Sequence, residues 1–147
     1  MRQMFLDGQR QWPLVELAYD AFERHWQSLL GDRGPDAAGD GADLFLSCAC
    51  VEGDAEALRV FERETRPVAR AAITRIRRDQ EFVEDCLQDL WEKLLWGPNA
   101  KIKKYAGRGA LKAWVRVTAT RAALDRCRAL GLAIARHTEL TDGVAFA

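Results

Sequence analysis

The chain has 147 residues, with 22 Lys+Arg against 22 Asp+Glu, 48% apolar and 30% charged. A chain of this size buries roughly two-thirds of its unfolded surface and builds a core without disulfides or metal. No run approaches the ~20 apolar residues of a membrane span, and the opening Met1-Arg2-Gln3-Met4-Phe5-Leu6-Asp7 breaks before a signal-peptide core forms, so a cytoplasmic protein without membrane contact is expected.

In chain order the elements read as helices throughout. Residues 13–30 suit one amphipathic helix opening on Pro13. The Gly- and Asp-rich stretch 31–41 reads as a linker, so residues 1–41 are expected to form an N-terminal helical arm and linker ahead of a main body over 42–130. The body begins with a short apolar helix from about Asp43 to Val51, broken at Gly53. Asp54 then caps a helix over Ala55 to Thr65, and Pro67 opens another running to about Arg78. Over 80–96, Phe82, Val83, Cys86, Leu87, Leu90, Trp91, Leu94 and Leu95 recur at helical spacing, opposite a polar side of Glu81, Glu84, Asp85, Gln88, Asp89, Glu92 and Lys93. Gly97-Pro98-Asn99 ends that helix, and Lys101 to Ala110 make a basic connector with turn-permitting Gly107 and Gly109. A last long helix is expected from about Ala110 to Leu130, and residues 131–147 read as a tail or the start of a linker. No stretch alternates long enough to make a strand, so the fold class is all-α.

Zero net charge hides a segregation. Residues 1–64 carry 13 acids and 6 bases, whereas 101–136 carry 10 bases against the single acid Asp125. A basic surface of this kind fits a polyanion partner, and it also fits a solvated helix face. Cys48, Cys50, Cys86 and Cys127 form no Cys-x-x-Cys pair, and His25 and His137 make no ligand pattern with them. Buried reduced thiols are the expectation, with Cys48-x-Cys50 as a metal or redox site the alternative. No cofactor, metal or catalytic residue is assigned. Glu84, Asp85 and Asp89 can be drawn as an acid or metal cluster, but three carboxylates opposite an apolar stripe read as a solvated or partner-binding face. The protein is expected to act by binding and not as an enzyme.

The order of residues then becomes specific. Glu84-Asp85-Cys86-Leu87-Gln88-Asp89-Leu90-Trp91-Glu92-Lys93-Leu94-Leu95, followed by Tyr105-Ala106-Gly107-Arg108-Gly109-Ala110-Leu111-Lys112-Ala113-Trp114-Val115-Arg116 and by Ala119-Thr120-Arg121-Ala122-Ala123-Leu124-Asp125-Arg126-Cys127-Arg128, resembles region 2 of bacterial RNA polymerase sigma factors. The match is nearest to the extracytoplasmic-function (ECF) type and covers about residues 44–130. The resemblance implies a compact helical bundle of the region 2 type, carrying an extra N-terminal arm. It implies a sigma factor domain that binds core RNA polymerase at the clamp helices of the β′ subunit through Asp85, Gln88, Asp89 and Lys93. It also implies recognition and melting of the −10 promoter element, with the nontemplate single strand held by the loop Tyr105, Gly107, Arg108 and Gly109 and by Lys112, Arg116, Arg121, Arg126 and Arg128. Two glycines let backbone approach a flipped base, Tyr105 offers an aromatic wall or packs inward as part of a plain turn, and Arg108 holds phosphate or stacks. Trp91 and Trp114 read as core. An anti-sigma factor is a further possible partner.

Two departures qualify the transfer. Arg121 stands where family members often place a base-contacting Asn, and the helix-turn-helix domain of such factors is not among these residues. The alternative reading is a sigma-like protein-interaction module that has lost promoter reading and binds a regulatory protein.

Overall fold

The computed structural model describes residues 1–29 and 40–134. Among them the chain forms six α-helices and no strand: α1 (Arg2–Gln11), α2 (Tyr19–Ser28), α3 (Gly41–Val51), α4 (Ala55–Ile76), α5 (Gln80–Leu95) and α6 (Leu111–Leu130), with one 3₁₀ turn at Lys101–Lys104. The all-α expectation holds. Most of the expected linker, and all but the first residues of the expected tail, lie outside the described residues; Gly41, expected in the linker, opens α3.

The architecture follows from α3. Every residue from Leu44 to Cys50 is buried, and a helix apolar on all sides is stable only when covered on all sides. The other elements supply that cover: α1 and α2 pack on one side, α4 and the 3₁₀ turn on others. Asp40 starts the helix by accepting the Asp43 N–H at 3.0 Å, a side-chain cap for one orphan donor.

The N-terminal segment differs from the sequence expectation. Residues 13–30 are not one helix, because α1 ends at Gln11 and α2 starts only at Tyr19. Between them the Trp12 indole donates to the Ala42 carbonyl at 3.2 Å and Val15 turns inward to 7% exposure. Tertiary packing thus takes Pro13 out of the helical first turn that its fixed φ favours. α1 and α3 approach through reciprocal notches: a Cβ at Gly8 would lie 2.1 Å from Phe45 Cγ, and one at Gly41 would lie 2.7 Å from Met4 Cβ. Phe5 meets Tyr19, Phe22 and Phe45 with ring centroids 5.1, 5.6 and 5.4 Å apart. Residues 1–29 therefore share one core with α3, where the sequence suggests a separate arm.

α4 is the second correction, since it runs unbroken through Pro67. Phe61, Thr65, Ala69, Ala72, Ile73 and Ile76 form one buried stripe along it, and a break at Pro67 would split that stripe. The ring sits on the exposed side, where water serves the carbonyl left without a donor. Asp54 caps α4 as expected, accepting the Ala57 N–H at 3.0 Å. α5 buries Phe82, Val83, Cys86, Leu87, Leu90 and Leu94. All four cysteines are buried and unpaired; burial pushes the Cys48 and Cys50 thiols up to about 12, which keeps them protonated and unreactive.

Candidate functional site

The polar side of α5 divides into residues engaged within the molecule and residues left outward. Glu84 accepts from the Arg70 guanidinium of α4, and that contact holds its carboxyl below the usual range. Asp89 is paired with Lys93 one turn on, at 2.9 Å. Asp85 and Gln88 are exposed and take no hydrogen bond or ion pair among the described residues. A carboxylate and an amide one turn apart on a rigid helix offer paired acceptors to a guanidinium at small entropic cost. Trp91 is half-buried against Phe61, with centroids 5.6 Å apart, and Arg66 lies 5.5 Å over its ring; the core reading of this tryptophan fits. Among the described residues no group of three or more His, Cys, Asp or Glu is placed to hold a metal ion.

The basic connector is built from the inside out. Ile102 anchors the 3₁₀ turn in the core while Lys101, Lys103 and Lys104 stay exposed. Tyr105 then turns inward. It is 1% exposed, its ring meets Trp114 edge-on at 5.8 Å, and its hydroxyl donates to the Gly109 carbonyl at 2.6 Å. Burial raises the phenol far above its ordinary range. The ring braces the loop from beneath and is not available in this arrangement as an outer wall for a base, which corrects that part of the expectation. Gly107 is buried as well, and its carbonyl accepts the Asp40 N–H at 2.9 Å. Gly107 and Gly109 have φ of +77° and +80°, backbone that side-chain-bearing residues rarely adopt. Arg108, Gly109 and Ala110 form the exposed tip.

Sequence reasoning missed the residue that fixes this loop. The N-cap of α6 is Ala110, which has no side-chain acceptor, so the orphan donors of a 20-residue helix must be met from elsewhere. Asp43, 68 residues earlier, does this by accepting the Leu111 N–H at 2.7 Å. The only sequence signal was that missing cap. Asp43 also lines a cavity of about 220 Å³ with Gln11 and Trp12 of the N-terminal segment, Glu64, and Lys112 of α6.

Burial pushes the Asp43 carboxyl up to about 6, from an ordinary 3.8, against the lowering effect of the Leu111 N–H. A pKa raised by folding contributes stability that is full below about pH 4 and is lost as pH rises through about 6. Asp43→Asn retains an oxygen for Leu111 and removes the charge. It is expected to match the parent near pH 4 and to exceed it above about pH 6 in urea midpoints, while Asp43→Ala loses about 1 kcal/mol of capping at either pH. A difference between parent and Asn variant that stays constant with pH would contradict this assignment.

On α6, Lys112, Arg116, Arg121 and Arg128 are exposed. Lys112 lies 3.6 Å from Glu64, and Arg128 lies 3.2 Å from Asp125; such surface pairs are worth about 0–1 kcal/mol and yield readily to a phosphate. Arg126 stands apart. It is half-buried, its Nε has no acceptor among the described residues, and its charge acts on the Cys86 thiol of α5, so it sits at the α5–α6 contact rather than with the outward cations. From Lys93 to Leu124 the chain carries no Asp or Glu at all. The result is an acidic side on α5 and a set of exposed cations on the loop and α6 that follow it, with Glu64 of α4 beside Lys112.

Residues 61–132 match the family model of Sigma-70 region 2, a segment that spans α5, the basic loop and α6. No curated protein and no solved structure matches the chain.

Proposed function

We propose that this protein, whose residues 61–132 match the sigma-70 region 2 model, is a non-catalytic ECF-type factor domain of the cytoplasm, which docks on the β′ clamp helices of core RNA polymerase and holds the nontemplate strand of an opened −10 element. Docking uses Asp85 and Gln88, with the Asp89–Lys93 pair beside them. Strand capture uses the Arg108–Gly109 tip and Lys112, Arg116, Arg121 and Arg128. Tyr105 and Gly107 serve by shaping the loop. The observation that carries this reading is the coincidence of the family match with two outward surfaces of opposite sign on adjoining elements.

Opening is driven by exchange: bases leave the duplex stack and gain contacts on the protein, and each neutralised phosphate releases counterions. Binding of a nontemplate −10 oligonucleotide should therefore weaken with salt by a log–log slope of roughly −0.7 per phosphate contact. The same sequence as duplex should bind more weakly. Titration by fluorescence anisotropy at several salt concentrations measures both. Binding indifferent to salt and strandedness would overturn the proposal.

A further inference from the structure

Trp96 follows the last turn of α5 in extended backbone and is 64% exposed, the one aromatic among the large exposed apolar residues of the described chain. It lies off the α5 stripe, three and four residues after the polar Lys93 and Glu92, and the chain turns directly after it at Gly97, whose φ is +86°. Lys103 lines the same cavity as Trp96 and donates to the Pro98 carbonyl at 3.2 Å; it and its 3₁₀ neighbours Lys101 and Lys104 are exposed, and none of the three is paired with a carboxylate among the described residues. Trp96, Ile102 and Lys103 line a cavity of about 220 Å³ whose far wall is Cys50 and Val51, at the C-terminal end of α3. The other end of this segment, Gly107, is bonded to Asp40 at the N-terminal end of α3. The chain from Trp96 to Arg108 thus runs along α3, whose 11 residues span ~16 Å, within the acid-free stretch.

We infer that the nucleic-acid surface continues from the loop along the 3₁₀ turn to Trp96, where an unpaired base stacks on the indole while the three lysines hold the adjoining phosphates. This rests on the single-strand reading above and extends it to a second contact point. The chemistry selects the ligand. An open indole face needs a free π-surface, which a duplex hides within its stack and an unpaired strand presents at every residue. Lysines on flexible stems suit a phosphate chain, which makes no demand for forked geometry.

The test uses the full chain and two nontemplate −10 oligonucleotides, one covering the loop alone and one extended by several nucleotides on either side. Trp96→Ala is expected to weaken the extended strand about tenfold and leave the short one unchanged, with Trp96→Phe restoring most of the affinity. Replacing Lys101, Lys103 and Lys104 with Gln should flatten the salt slope of the extended strand by about 2. Unchanged circular dichroism establishes that the variants are folded. If Trp96→Ala holds the extended strand as tightly as the parent while Lys112→Gln with Arg116→Gln weakens both strands, the extension is wrong and the proposed function survives. If the parent binds neither strand, both fall. If Trp96→Ala instead weakens binding to core polymerase alone, this surface is a protein contact and the inference is overturned.

Discussion

Phe45→Ala is expected to remove about 3–5 kcal/mol of stability, a large part of the roughly 5–15 kcal/mol that holds a domain of this kind together. Phe45 is fully buried on the central helix. Its ring fills the notch at Gly8 and lies 5.4 Å from Phe5 and 6.4 Å from Phe22, so α1, α2 and α3 all lose contacts when it is truncated. The opposed glycines hold α1 so close that neighbouring atoms cannot collapse far into the void, which puts the loss in the upper range for such a change. Phe45→Leu keeps most of the volume and should cost about 1.5 kcal/mol or less. Urea unfolding reads both. A loss below about 1 kcal/mol for the alanine variant would mean that the N-terminal helices add little to the core. The effect reaches the basic loop as well, because α3 carries Asp40 and Asp43, which bind Gly107 and Leu111.

What the sequence made legible was periodic or local. The stripe and polar side of α5, the Asp54 cap and the glycine-bearing connector were all readable because the partners in each lie within a few residues. α1 was not, since its helix depends on Gly8, a residue that propensity counts against a helix and whose use appears only with Phe45 opposite. Pro67 suggested a boundary, and the continuous buried stripe of α4 overrode it. In the site, the charge segregation pointed to α5 and α6, but spacing alone does not tell which cations face outward. Arg126 is turned toward α5, and Tyr105 is turned beneath its own loop. Glu84 is taken up by Arg70, 14 residues away, and Asp43 reaches across 68 residues; neither separation follows a helical period. Trp96 falls outside the four-residue spacing of the α5 stripe, and the structure leaves it outward.

The proposed function depends most on α5 as the docking helix, and Asp85 and Gln88 are the residues to remove. They are outward and unengaged on a helix packed by six buried residues, so truncation should leave the fold intact and strip the acceptors that a guanidinium on the partner requires. Leaving such a partner charge unsatisfied costs about 2 kcal/mol or more, between tenfold and a hundredfold in affinity. Glu84, already held by Arg70, provides the internal control. The decisive measurement is the affinity of the chain for immobilised β′ clamp helices, comparing parent, Asp85→Ala with Gln88→Ala, and Glu84→Gln. The expected result is a loss of more than tenfold for the double variant with the Glu84 variant close to the parent; undiminished binding by the double variant would contradict the docking surface and the function built on it.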